Sequence, residues 1–235
     1  MSAPDDYRTL RPDLILKTLD KLHERIIARF PQSGLGRVCA DLQGTAAEIV
    51  DEAADLARPA WGWRIAAAVV ALLGLAAQIW AAEHFRVEGA SSTELLQGLE
   101  AAVNLLILFG GGVWFLMTLE ERLKRQRVLD ALHRLRSAAH VIDMHQLTKD
   151  PTIVLDAHKT VASPERTMSH FELTRYLDYC AEMLALIGKL AALYAERMRD
   201  SVVIDAVNEM EALTTSLGRK IWQKITIISA LEETG

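Results

Sequence analysis

The sequence predicts an all-α fold in which a two-span transmembrane helical hairpin joins an N-terminal helix pair to a C-terminal helical bundle or coiled-coil-like region. Residues 65–82 and 101–119 contain no charged side chain, and each stretch is long enough to cross the hydrocarbon layer of a bilayer. Tryptophans and basic residues flank both stretches, as is typical of membrane-spanning helices. Elsewhere apolar residues recur every three or four positions, which predicts amphipathic helices.

The amino-acid composition argues against several classes of function. Of the 235 residues, 51% are hydrophobic, a high fraction for a soluble protein. A net charge of −5 argues against a nucleic-acid-binding surface. Cys39 and Cys180 lie far apart in apolar helical registers, which indicates buried, reduced thiols. No catalytic, cofactor or metal motif stands out, so we predict no enzymatic activity, no cofactor and no metal site.

The N-terminal region, residues 1–60, is predicted to form two cytoplasmic amphipathic helices. Their apolar positions are Ile15, Leu19, Leu22, Ile26 and Phe30 in the first helix, and Leu35, Val38, Leu42, Ile49 and Leu56 in the second. Pro12 suits the first turn of a helix, whereas the stretch 31–36 breaks the helical pattern. Pro59 then separates this region from the first predicted span.

The hairpin, residues 61–119, is predicted to place both chain ends in the cytoplasm of a cell or inner membrane. Basic residues follow the second span at Arg122, Lys124, Arg125 and Arg127, and Arg58 and Arg64 precede the first. The connecting loop 83–100 carries one arginine and four glutamates. Because cytoplasmic loops are enriched in lysine and arginine, this loop is predicted to lie outside. The four basic residues after the second span are also candidate contacts for anionic lipid headgroups.

Polar and small residues within the spans are candidate functional positions. Gln78 and Asn104 are predicted at a similar depth, where their amides could bond to each other. A stripe of small residues on the first span, including Gly74, predicts close docking of another helix. Gly110, Gly111 and Gly112 form a candidate hinge or tight crossing in the second span. Structural packing is favoured over a pore, because neither span carries an ionisable group.

The C-terminal region, residues 120–235, is predicted as a cytoplasmic helical domain. Because no helix breaker appears before Asp150 and Pro151, one helix could leave the membrane and project roughly 40 Å. After a loop, Ser163, Pro164 and Glu165 predict the start of a long helix. Two adjoining apolar seams on that helix predict the centre of a bundle, and a last helix is predicted from about residue 201.

A polar stripe on the predicted stalk contains residue types that bind metal ions. Asp130, His133, His140 and Asp143 lie within four helical turns, and zinc accepts such ligands. The two histidines are seven residues apart, however, whereas helical zinc pairs are usually four apart. A solvated face is therefore favoured. An enzymatic site would require a pocket that joins His140, Asp143 and His145 to polar groups of the C-terminal helices.

The leading functional hypothesis is a membrane-anchored helical scaffold, adaptor or signalling protein. Its expected partners are the lipid bilayer, a second copy of the chain and an unidentified cytoplasmic protein. Self-association is expected because the apolar seams are wider than the helices of one chain obviously need. The alternative is a small ion channel or pore-forming membrane effector, to which Gln78, Asn104 and the triple glycine point.

Overall fold

A computed structural model describes residues 9–56, 58, 61–84, 92–147, 149 and 168–234. Within these ranges the chain forms helices and turns and no strand, so the all-α prediction is confirmed. The helices are α1 (Pro12–Arg29), α2 (Gly34–Leu56), α3 (Trp61–His84), α4 (Ser92–Leu147), α5 (His170–Arg197) and α6 (Ser201–Thr234).

The chain divides into two compact units. The bundle unit comprises residues 1–57 and 127–235, and the apolar unit comprises residues 58–126. The N-terminal and C-terminal regions, which the sequence presents as separate, therefore form one body. Helix α4 contributes residues to both units, since it begins at Ser92 and ends at Leu147. The absence of a breaker before Asp150 correctly predicted this long helix.

Helix α5 is the centre of the bundle unit. It packs along α6 and also contacts α1 and α2. Both predicted seams are covered, and the buried residues of α5 are Leu173, Tyr176, Leu177, Tyr179, Cys180, Met183, Leu184, Leu186, Ile187, Leu190, Ala191, Leu193 and Tyr194. Helices of the same chain thus account for the width of the apolar face. That width no longer argues for a second copy.

The N-terminal helix pair forms as its periodicity predicts. Pro12 opens α1, where a missing backbone N–H costs no hydrogen bond, and the buried residues of α1 are Ile15, Leu19, Leu22 and Ile26. The break before α2 is shorter than the predicted 31–36, because α2 already begins at Gly34. A Cβ atom at Gly36 would lie 2.8 Å from Ile27 Cδ1, so the end of this α1 side chain packs directly on the glycine.

Helix α5 begins later than predicted. The predicted start at 163–165 lies outside the described residues, whereas residues 168 and 169 are non-helical and α5 begins at His170. Ser169 is its N-cap: its hydroxyl accepts from the Glu172 N–H at 3.2 Å, and the Glu172 carboxylate accepts from the Ser169 N–H at 2.8 Å. This reciprocal capping box fixes the helix start, and its S-x-x-E signature was readable in the sequence.

Replacing Ser169 with alanine is expected to lower the free energy of unfolding by about 1 kcal/mol, because the cap hydroxyl no longer satisfies a first-turn N–H. The backbone and hydroxyl of Ser169 also lower the pKa of Glu172 below its ordinary value of 4.5. That stabilisation is present above pH 4.5 and is lost as the pH falls through the lowered folded-state pKa. Urea unfolding in detergent, with the exposed Ser216→Ala as control, measures the difference.

The apolar unit contains helices with exposed apolar surfaces. Two stretches, Gly34–Trp80 and Leu96–Leu147, include a segment long and apolar enough to cross a membrane, and 11% and 0% of those segments are buried. The predicted loop 83–100 is partly helical, because α3 ends at His84 and α4 already begins at Ser92. Leu95, Leu96 and Leu99 continue the helical spacing of the following span, which explains the earlier start.

Candidate functional site

Polar residues meet in the bundle unit at the carboxyl end of α4. Gln146 is 1% exposed, although it is an amide. Its side-chain oxygen accepts from Lys224 Nζ at 2.7 Å, and its side-chain nitrogen donates to Asp143 Oδ1 at 2.6 Å. The buried amide therefore connects an ammonium group on α6 to a carboxylate on α4. Such a chain is stable in a low-dielectric interior only when its members are satisfied.

The same lysine also neutralises the end of the helix. The backbone carbonyl of Gln146 accepts from Lys224 Nζ at 3.0 Å and from the Lys149 N–H at 3.0 Å. The last carbonyl groups of a helix lack helical partners and carry partial negative charge, so a cation there is favourable. Lys224 thus fixes the end of α4 to α6 through both a main-chain and a side-chain acceptor.

Tyr176 of α5 also lies at the carboxyl end of α4. The Tyr176 hydroxyl lies 3.5 Å from His145 Nδ1, and Lys149 Nζ lies 5.2 Å from the centre of the Tyr176 ring. The ring also packs edge to face against Phe30, with centroids 5.6 Å apart. A Cβ atom at Gly34 would lie 2.7 Å from His145 Cε1, so α2 approaches α4 closely here. We call Asp143, His145, Gln146, Lys149, Tyr176 and Lys224 the α4-end cluster.

Burial keeps two thiols and one tyrosine hydroxyl of the bundle unit neutral. Burial raises the pKa of the Cys180 thiol to about 12, even though the charges of Lys149 and Lys224 lower it. Burial likewise raises the pKa of the Cys39 thiol to about 12, and it raises the pKa of the Tyr176 hydroxyl. Both thiols therefore stay protonated at neutral pH. They pack as small apolar groups, whereas a nucleophile or metal ligand would be a thiolate.

A second link, of which only the tyrosine is buried, joins three helices of the bundle unit. The hydroxyl of Tyr194, a residue with 0% exposure, donates to Glu52 Oε2 at 2.9 Å. The other carboxylate oxygen of Glu52 accepts from Arg134 Nη2 at 2.8 Å. The link fixes α4 to α2 and α5, well away in sequence from the α4-end cluster. Burial and the Glu52 carboxylate raise the pKa of Tyr194, so its hydroxyl remains a donor.

The residues of the polar stripe on α4 do not converge on one point. Asp130, His133 and His140 are exposed, and Asp143 bonds to Gln146. Among the residues that the structure describes, no group of three histidine, cysteine, aspartate or glutamate side chains could hold a metal ion. Asp143 and His145 do lie beside polar groups of α5 and α6, but the exposed His140 does not join them.

Gln78 and Asn104, the two polar positions predicted to bond to each other, have different surroundings. The Gln78 side chain donates to the carbonyl oxygen of Ala102 at 2.8 Å, so the acceptor is backbone, not the Asn104 amide. Asn104 is exposed. Helix α4 continues without a break through the candidate hinge. Gly110 and Gly111 are exposed, whereas a Cβ atom at Gly112 would lie 3.4 Å from Val70 Cγ1.

The small-residue stripe on α3 is a docking surface within the apolar unit. Gly74 is buried, and a Cβ atom there would lie 2.7 Å from both Cβ and Cγ of Phe109. Real Cβ atoms do not approach other carbon atoms this closely, so the packing of α4 against α3 requires glycine at this position. The helix that docks on this stripe is α4 of the same chain.

The four basic residues after the second span differ in environment. Arg122 and Arg127 are exposed, whereas Lys124 and Arg125 are half-buried. Lys124 Nζ pairs with Glu120 Oε1 at 2.8 Å and donates to the Arg58 carbonyl at 3.3 Å. Lys124 therefore joins the beginning of the apolar unit to α4. The two exposed arginines are the better placed for contact with a charged surface.

Sequence reasoning missed Gln146, Lys224, Glu52 and Tyr194 as linked positions. One signal was available: Gln146 follows Ile142 by four residues and Ala139 by seven, so an amide occupies the buried register of α4. The partner of Gln146 could not be predicted from the sequence, because that partner, Lys224, is 78 residues away.

Comparisons with protein-family models, with curated proteins and with solved structures return no match. The functional argument therefore depends on the residues themselves. They define a helical protein with a five-helix bundle unit, to which α4 contributes its C-terminal part, and two helices long and apolar enough to cross a membrane.

Proposed function

We propose that the chain is a two-span integral membrane protein whose helical bundle serves as a cytoplasmic adaptor or signalling scaffold. The observation that carries the proposal is the exposure of large apolar side chains on α3 and on the first part of α4. Leu72 is 65% exposed, and Leu106, Ile107 and Leu108 are each 67% exposed. A soluble protein rarely exposes a continuous apolar surface of this kind, whereas lipid is a favourable solvent for it.

The hairpin topology is supported by pairs of residues that run in opposite directions along the two helices. Val70 lies beside Gly112, Gly74 lies beside Phe109, and Gln78 bonds to Ala102. Helices that cross a bilayer in succession are antiparallel neighbours when the connection between them is short. The Gln78 bond also satisfies an amide that would be costly to leave unpaired in lipid.

Cytoplasmic ends are supported by charge. In the hairpin topology, one end of each span lies on the same side of the membrane. The basic residues near these two ends include Arg58, Arg64 and Arg122. Because lysine and arginine near span ends favour the cytoplasm, the bundle unit is assigned to that side.

An adaptor role is supported by the make-up of the bundle unit. Its thiols are protonated, the buried polar side-chain atoms of its described residues all have hydrogen-bond partners, and α4 continues from the apolar segment to the α4-end cluster. We assign contact with a cytoplasmic protein to the outer surface of this unit. Self-association, which is part of the proposal, is assigned to the hairpin, because helices of the same chain already cover the seams of α5.

Topology is tested by cysteine labelling in intact cells with a membrane-impermeant maleimide. Cys39 and Cys180 are buried, so they give little background. We expect Glu88→Cys to be labelled before lysis and Ser216→Cys, an exposed position on α6, only after lysis. The chain should also stay in the membrane pellet after carbonate extraction. Release by carbonate, or labelling of Ser216→Cys in intact cells, contradicts the proposal.

A pore-forming membrane effector is the second candidate, and the position of Asn104 favours it. Its amide is exposed on a helix whose surroundings are otherwise apolar, so a partner chain or a water-filled path would stabilise it. Planar-bilayer recordings separate the candidates. Conductance from purified protein that Asn104→Leu abolishes supports the pore, and absence of conductance supports the adaptor.

A further inference from the structure

A cavity of about 310 Å³ lies within the apolar unit, between the first turn of α3 and the part of α4 that follows the second apolar segment. Its polar lining consists of Trp63, Arg64, Thr118, Glu120, Glu121 and Lys124. Two cations and two carboxylates therefore face one space, at the end of the hairpin that is assigned to the cytoplasm.

The balance of charge in the cavity selects the type of ligand. A purely anionic ligand would meet Glu120 and Glu121, whereas a purely cationic one would meet Arg64 and Lys124. A zwitterion can place each of its charges beside the opposite one. Like charges in contact cost energy, so this arrangement discriminates by repulsion as well as by attraction.

One side of the cavity suits a phosphate group. Arg64 lies in the first turn of α3, where backbone N–H groups lack helical partners and the helix dipole is positive. Arginine also presents parallel donors that match phosphate oxygens. Trp63 beside it suits the boundary between headgroups and acyl chains, which is the depth of a phospholipid phosphate.

The other side suits a primary ammonium group. Glu120 is partly buried, with 15% of its side chain exposed, and it already binds the ammonium of Lys124 at 2.8 Å. The neighbouring Glu121 is exposed and has acceptor capacity for a second ammonium group. A primary ammonium has three N–H donors for such carboxylates, whereas a trimethylated one has none.

We propose that this cavity binds the phosphoethanolamine headgroup of an aminophospholipid in the cytoplasmic leaflet, with its phosphate at Arg64 and its ammonium at Glu121. This inference rests on the proposed membrane topology. It differs from the sequence-based expectation of anionic lipid contact, because half of the charged groups in the cavity are carboxylates.

Native mass spectrometry of the full chain in mild detergent tests the proposal. The protein is incubated with equal amounts of phosphatidylethanolamine, phosphatidylcholine and phosphatidylglycerol with the same acyl chains. We expect about threefold more bound phosphatidylethanolamine than either other lipid, the gain typical of one partly exposed ion pair. Glu121→Gln should bring the ratio of phosphatidylethanolamine to phosphatidylcholine close to one, because it removes the acceptor that distinguishes a primary ammonium from a trimethylated one. Arg64→Gln should lower the binding of all three lipids, because the phosphate is common to them. Both side chains are exposed, so both variants should fold.

Arg122→Gln is the matched control, because Arg122 is an exposed cation of the same segment that does not line the cavity. It should leave both the preference and the amount of bound lipid unchanged. Preferential binding of phosphatidylglycerol, equal binding of the three lipids, an undiminished preference in Glu121→Gln, or undiminished binding in Arg64→Gln would overturn the inference. Carbonate extraction of the membranes from which each variant is purified separates the topology from the headgroup site. Release from the membrane refutes the topology, whereas retention without lipid preference refutes only the headgroup site.

Discussion

Gly74→Leu is expected to separate α3 from the first part of α4. The first added carbon atom would lie 2.7 Å from Phe109 Cβ, and three further carbon atoms would have to occupy the space that α4 fills. Because that contact involves the part of Phe109 closest to its backbone, a change of rotamer cannot relieve it. Overpacking of this kind costs about 1–3 kcal/mol, and a forced backbone shift costs more.

Disulfide crosslinking measures this separation directly. Val70→Cys and Gly112→Cys place thiols at a point where the two helices touch, since a Cβ atom at Gly112 would lie 3.4 Å from Val70 Cγ1. We expect efficient crosslinking of this pair in the otherwise native chain and its loss when Gly74→Leu is added. The buried native cysteines do not compete.

Gly111→Leu is the control for Gly74→Leu. It adds the same side chain to the same unit, but a Cβ atom at Gly111 meets nothing within 4 Å. Crosslinking should survive there, and replacement of a helical glycine should stabilise α4 slightly. If Gly74→Leu crosslinks as well as Gly111→Leu, then α3 and α4 do not pack through Gly74.

Lys224→Met is expected to lower the free energy of unfolding by about 1–3 kcal/mol, the cost of leaving a buried acceptor without its donor. The orphaned acceptor is the side-chain oxygen of Gln146, which is 1% exposed. The end of α4 also loses a cation beside its last carbonyl groups. Urea unfolding in detergent, followed by hydrogen exchange of the α4 and α6 amides, measures both effects.

A double variant makes this prediction sharper. Adding Gln146→Leu to Lys224→Met removes both members of this hydrogen bond, and replacing both by apolar groups is less costly than orphaning one of them. The other partner of the amide, Asp143, is half-buried, so water can replace the donor that its carboxylate loses. The double variant should therefore be more stable than Lys224→Met alone. Lys220→Met, at an exposed position one turn earlier, is the control and should have little effect. Equal losses in Lys224→Met and Lys220→Met would show that the buried amide does not depend on the lysine.

Local patterns predicted the helices well because they act over a few residues. The spacing of Ile15, Leu19 and Leu22 predicted the buried face of α1, and the absence of breakers predicted the length of α4. Two described helix starts also have local causes. The apolar spacing around Leu96 extends α4 into the predicted loop, and the capping box at Ser169 fixes the start of α5 at His170.

The sequence alone determined which stretches are helical, which faces are apolar and which two segments are long and apolar enough for a bilayer, because these properties repeat along the chain. Tertiary structure alone decided that helices of one chain cover both seams of α5, that Gln78 bonds to backbone, and that Lys224 reaches Gln146. Contacts between residues distant in the chain depend on how the helices pack, and a single sequence carries no local record of that packing.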